Sequence, residues 1–219
     1  MRWFVVGLAP VIVAISVAPV HAVFIDFEGL ASTSLTSGTP PASAVLDTDL
    51  QNLGIHFGRS GLSPGVVVSN NTSAAFSNPN SINGLDAAGD IVFALEGDTY
   101  FNFVVPNTST PAIVNSVSWV MGDTGGDLDE WRVRAYDLSN VNIIDQSFQS
   151  NDHIPVTLNA PGIHRVEVLW EAPEEGGYGL DNLSFPTPVS SVIIPEPSTI
   201  LIWSLLAALG IGTAWRRRK

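Results

Sequence analysis

Between residues 23 and 185 the chain is a succession of short runs rich in Val, Ile, Phe, Trp, Tyr and Thr. Gly, Pro, Asn, Asp or Ser cut off each run. This punctuation constrains the fold more than any other feature. A helix needs an apolar period of about 3.6 sustained over roughly ten residues, whereas short runs of period two between turn-formers belong to strands. Strands are predicted over 23–28, 54–57, 65–69, 90–95, 99–105, 114–121, 130–137, 141–148, 154–158, 163–170 and 178–185. In two of them the alternation is explicit. Val117, Trp119 and Met121 alternate with Ser116 and Ser118, and Trp131, Val133 and Ala135 alternate with Arg132, Arg134 and Tyr136. Antiparallel sheets with one buried and one wet face give that pattern. Residues 31–43 read as a loop, and neither a helical period nor an internal repeat is found. The spacing reads as an all-β sandwich or barrel, and of these an antiparallel β-sandwich, jelly-roll-like, is the fold expected here.

The two ends do not belong to that domain. Arg2 is followed by an apolar run over 4–20 and then Val20-His21-Ala22. This is the order of a secretory signal peptide, residues 1–22, with the cut expected after Ala22. After the domain (23–185) and a linker (186–194) come Pro195-Glu196-Pro197, an apolar run over 200–215, and Arg216, Arg217, Arg218 and Lys219. At about 1.5 Å per residue that run is shorter than a hydrocarbon core of roughly 30 Å, so it suits a transient stop. The basic cluster would stay cytoplasmic and leave the acidic domain outside.

The motif, the apolar helix and the basic cluster, in that order, resemble the PEP-CTERM sorting segment. The resemblance covers the last 25 residues, 195–219. It implies that the membrane protease-transpeptidase exosortase recognises Pro195, Glu196 and Pro197 and that the tail is removed. It also implies transient inner-membrane anchoring through 200–215. The destination would be the surface or extracellular matrix of a Gram-negative-type bacterium that makes exopolysaccharide.

Charge and composition exclude several functions. The span 23–194 holds four arginines, no lysine and all but one of the chain's 21 acidic residues. So acidic a module does not hold phosphate backbones, and nucleic acid is excluded as a partner. With no cysteine, the chain makes no disulfide, zinc-thiolate or iron–sulfur site, and has no Cys nucleophile. Gly61-Leu62-Ser63-Pro64-Gly65 matches a nucleophile elbow in spelling only. The residue after the serine must offer an oxyanion-hole N–H, and Pro64 has none. His56, His153 and His164 have no metal-ligand spacing, and His164 is expected to be an ordinary, partly buried side chain. The acidic cluster Asp127-Leu128-Asp129-Glu130 reads as a solvated loop.

Calcium is the most physical use of the carboxylates, since it takes about six to eight oxygens in irregular geometry. Asp26 and Glu28, two apart on the expected first strand, would share a face. Asp181 lies on the last strand, and Asp123 lies in the loop Gly122-Asp123-Thr124-Gly125-Gly126-Asp127. If the first and last strands are neighbours, Asp26, Glu28 and Asp181 converge, an ion cancels their repulsion, and the loop would add Asp123 or Asp127. The opening Phe24-Ile25-Asp26-Phe27-Glu28-Gly29 and the closing Leu180-Asp181-Asn182-Leu183 also resemble the end strands of jelly-roll sugar-binding modules. That resemblance implies a carbohydrate ligand. Trp119 and Trp131 alternate in phase with apolar residues and are expected in the core, while Trp170 has no assignable face. Arg132, Arg134 and Tyr136 share a face whose planar groups suit packing on a sugar or pairing with uronate carboxylates.

The expected function is therefore non-catalytic: an exported protein that binds or organises exopolysaccharide, with a structural calcium ion. The alternatives are a polysaccharide hydrolase using paired carboxylates and a passive structural or adhesive coat protein.

Overall fold

The computed structural model describes residues 21–34, 38–58, 65–70, 80–85, 88–91, 98–122, 128–171, 179–190 and residue 204. The residues 1–20 of the expected signal peptide, the motif Pro195-Glu196-Pro197 and all of 200–215 except Ser204 lie outside them, as do Asp123 and residues 59–64. Within them the chain is all-β, as expected.

The strands are β1 (Ala22–Ile25), β2 (Val45–Leu46), β3 (Ile55–Phe57), β4 (Val66–Ser69), β5 (Ser81–Asn83), β6 (Thr99–Phe103) and β7 (Ala112–Gly122). They continue with β8 (Asp129–Tyr136), β9 (Asn142–Ser150), β10 (Ile154–Ile163), β11 (Arg165–Trp170), β12 (Gly179–Pro186) and β13 (Val189–Ser190). Two antiparallel sheets form. One has eight strands in the order β10-β7-β12-β5-β4-β2, with β1 on β12 and β13 on β7; the other has five in the order β3-β6-β11-β8-β9.

The core lies between the sheets and comes from the alternation visible in the sequence. Val117, Trp119 and Met121 of β7 are buried, and so are Trp131, Val133 and Ala135 of β8. Aromatic rings join the layers. Phe101 on β6 meets Trp119 on β7 edge-on at 5.8 Å and 87°, and Phe103 meets Phe185 on β12 at 5.0 Å. Such pairs add to the area they bury because ring edges are positive and faces negative. A second, smaller core of Ala44, Val67, Leu85 and Ile91 covers the far side of β4. Gly65 enters β4 so close to β2 that a Cβ would sit 1.5 Å from the Leu46 carbonyl oxygen.

Several boundaries differ from expectation. β1 begins at Ala22, which pairs with Pro186, so a cut after Ala22 would remove the strand's first residue. β1 also stops at Ile25, because Phe27 takes a left-handed conformation (φ 61°) that ends the extended run. Of 90–95, Ile91 makes only an isolated bridge to Gly38, and 92–95 lie outside the described residues. β10 runs on through Pro161 to Ile163. Its pairing with β7 shifts register between Asn159 and Ile163, and an irregularity on an edge strand accommodates the missing N–H of Pro161. The expected linker starts inside the sandwich, since Pro186 ends β12 and Val189 and Ser190 pair with Ile113 and Ala112.

Candidate functional site

The outer face of the five-stranded sheet gathers three of the domain's four arginines. Alternation turns Arg132, Arg134 and Tyr136 of β8 outward as it buries their neighbours. Register then brings up partners from the flanking strands. Arg134 pairs across to Asp145 of β9 and to Glu167 of β11, and Tyr136 pairs with Arg165. The hairpin carrying β8 and β9 is held by Asp137, whose Oδ1 accepts from the Ser139 and Val141 N–H groups at 2.8 and 2.9 Å.

The side chains interlock. Arg132 grips Asp145 with both arms of its fork, Nε to Oδ1 at 2.6 Å and Nη2 to Oδ2 at 2.8 Å, and reaches Glu171 at 3.5 Å. Arg134 is held more loosely, its Nε 3.6 Å from Asp145 Oδ2. Tyr136 donates its hydroxyl to Glu167 Oε2 at 2.9 Å, and Arg165 lies 4.2 Å over its ring while bonding Glu167 Oε1 at 3.1 Å. Gln149 of β9 donates to Glu130. These contacts move the titrations. The fork from Arg132 holds the Asp145 carboxyl below its usual range. Partial burial, and then the bond to Glu167, hold the Tyr136 phenol above its own.

The expected binding residues Arg132, Arg134 and Tyr136 thus stand together. The sequence reading missed Arg165, Glu167 and Asp145, which come from other strands and are joined to these only by register. Three arginines and four carboxylates (Glu130, Asp145, Glu167 and Glu171) share the surface. The outer face of the other sheet differs. There a depression of about 330 Å³ is lined by small side chains, among them Ser116, Ser118, Thr157, Asn159 and Ser184, with no ionised group.

The acids near the chain ends behave differently from expectation. β1 does neighbour β12, Ile25 pairing with Leu183. Asp26 and Glu28, however, lie beyond the end of β1 and do not share a strand face. The Glu28 N–H donates to Asp26 Oδ1 at 3.3 Å, and Glu28 Oε1 accepts from the Asn80 N–H at 3.2 Å. Asp181 is buried, and its Oδ1 accepts from the Asn182 N–H at 2.6 Å. Among the described residues no three His, Asp or Glu side chains are grouped to hold a metal ion. Asn80, which the sequence reading also missed, is 3% exposed. Its amide donates to the carbonyls of Phe27 and Leu30 at 3.1 and 3.4 Å, and its Oδ1 is buried without a hydrogen-bond partner. An unpaired buried oxygen is costly, and a cation beside it would remove the cost.

Of the Asp127–Glu130 cluster, Asp127 lies outside the described residues. Asp129 is buried where a solvated loop was expected, because β8 starts there and turns it inward. Glu130 faces outward, so these two neighbours do not flank one cleft. His164 lies between β10 and β11, its Nδ1 2.8 Å from the Ala112 carbonyl. Trp119 and Trp131 are core residues as expected, and the Trp170 side chain lies outside the described residues.

No known protein family matches the chain, and no curated protein does. Solved structures to which the chain is similar include the K2 cleaved adhesin domain of Lys-gingipain, with 13% identity and a TM-score of 0.40 over 75% of this chain and 99% of that one. The CBM22-1 xylan-binding domain from Paenibacillus barcinonensis is 14% identical, with a TM-score of 0.36 over 74% and 99% of the two chains. The family 11 carbohydrate-binding module from Clostridium thermocellum is 11% identical, with a TM-score of 0.35 over 79% and 99%.

Proposed function

We propose that this protein is a non-catalytic polysaccharide-binding module whose ligand lies across the outer face of the five-stranded sheet. One observation carries the reading: three of the four arginines in 23–194 meet a tyrosine and four carboxylates on that face. Surface ion pairs add only about 0–1 kcal/mol each to stability, so the fold gains little by collecting them. A chain of sugar hydroxyls does need such a surface, with planar donors and acceptors alternating at fixed spacing. The arginines already have carboxylate partners and the domain is strongly acidic, which favours a neutral polysaccharide over a polyuronate.

Two further parts belong to the same proposal. Sorting by exosortase through Pro195, Glu196 and Pro197 delivers the module to the cell surface or matrix, where exopolysaccharide is its partner. A structural calcium ion sits at the β1–β12 end, drawing on Asn80 Oδ1 with Glu28 and Asp181. If so, calcium raises the unfolding temperature of the purified full chain, chelator lowers it, and Asn80→Leu loses the response. Equal midpoints in calcium and chelator would remove the ion from the proposal. The module itself is tested by titrating the full chain with xylan, dextran and alginate. Binding to one of the neutral chains supports it, and binding to alginate alone sinks the neutral assignment.

A further inference from the structure

Among the described residues the two strand orders end at four edges, with the short strands β1 and β13 lying off them. β10 carries Pro155 and Pro161, β2 has two residues and β3 has three. Proline and shortness are the usual means of blunting an edge against other chains. β9 is different. It has nine residues with no Pro, Gly or Lys, and among the described residues it forms a ladder with β8 alone. Its single charge, Asp145, is turned onto the outer face and held by Arg132. Among the described residues one side of β9 therefore has no partner strand, and its one carboxylate is paired with Arg132.

We propose that β9 docks a second copy of this chain, the two β9 strands pairing antiparallel and joining their five-stranded sheets. The register follows from the strand itself. From Ile144 to Ser150 its pairing with β8 is regular, and the irregularity lies before Ile144. A two-fold axis through Ser147 pairs this whole stretch with itself. Residues that share a face then meet, as side-chain alternation requires. Asp145 faces Gln149 of the second copy, so a carboxylate meets an amide that can donate to it. No like charges meet across the ladder, although each chain carries a net charge of −12. The joined sheet sets both arginine-bearing faces on one side. The pairing does not depend on whether those faces bind sugar.

The absence of cysteine makes the test direct, because an introduced thiol has no competitor. Facing residues in an antiparallel pair have Cα atoms about 4.5–5.5 Å apart, within disulfide range. Mild oxidation of full-chain Ser147→Cys gives a covalent dimer. In Gln149→Cys, four strand steps separate the two thiols, about 14 Å, and the chain stays monomeric. Thr157→Cys on proline-bearing β10 also stays monomeric. Sedimentation of the unmodified chain shows a mass rising with concentration over a roughly hundredfold range. Unchanged unfolding temperatures of the reduced variants exclude misfolding as the cause. The proposal is overturned if Ser147→Cys cross-links no faster than Thr157→Cys or Gln149→Cys, or if the unmodified chain sediments as a monomer throughout.

Discussion

Phe101→Ala is the sharpest test of the shared core. Phe101 is fully buried at the junction of the two sheets. Its ring lies 6.3 Å from Phe57 and 6.0 Å from Phe103 within its own sheet, and 5.8 Å from Trp119 in the other. Truncating a buried phenylalanine costs about 3–5 kcal/mol, the lost transfer energy plus the cavity left behind. Three lost ring contacts place this site toward the upper half, about 4 kcal/mol. In a domain of this size that lowers the unfolding temperature by roughly 8–16 °C. The control is Phe24→Ala, the same deletion on the outer side of β1, where the ring is 60% exposed. There the change stays within about 0.5 kcal/mol. Both are read by calorimetry and urea titration of the purified full chain. Unfolding free energies of the two variants agreeing within about 1 kcal/mol would refute the claim that the sheets close on Phe101.

Gly65→Ala pushes a methyl group into the Leu46 carbonyl, so it should cost about 1–3 kcal/mol or more, and urea unfolding that shows no loss would contradict the β2–β4 approach. The Asp145 carboxyl is held low by Arg132, so its stabilising effect is present at neutral pH and is lost as pH falls through the lowered value. Wild type should then resist urea better than Asp145→Asn at pH 7, the gap closing below about pH 4, and a gap that persists in acid would contradict the fork. The Tyr136 phenol ionises late, partly because it donates to Glu167. In ultraviolet titration with Tyr136→Phe as reference, Glu167→Gln should bring that ionisation earlier, and no movement would exclude the bond.

The legible parts of the fold are those where one strand face meets the core and the other meets water. β7 and β8 are the examples, since each side chain's environment is written in the alternation. β5 escapes that logic. Ser81 and Asn83 look like turn residues, yet both are buried, and Ser69 donates its hydroxyl to Asn83 Oδ1 at 2.6 Å. The smaller core and its loops cover the side of the sheet that period-two reasoning assigns to water. The expected strand 154–158 stops short of Ile163, and nothing local reveals that β10 lies at an edge, where an irregular pairing accommodates Pro161. The site divides the same way. Arg132, Arg134 and Tyr136 stand on one strand and were found by spacing, whereas Asp145, Arg165 and Glu167 join them through register, which is set by turns and core packing across the sheet. Asn80 sits in a loop with no periodicity, and only its burial marks it.

The sugar face is tested most directly by isothermal titration of the full chain with a neutral polysaccharide, xylan first and dextran second. Arg134→Ala and Tyr136→Ala are compared with Thr157→Ala on the opposite sheet. Each of the first two should weaken binding about tenfold, roughly 1.4 kcal/mol, while Thr157→Ala leaves it unchanged. Failure to bind either polysaccharide, or an equal loss in Thr157→Ala, would contradict the assignment of the ligand to the five-stranded face.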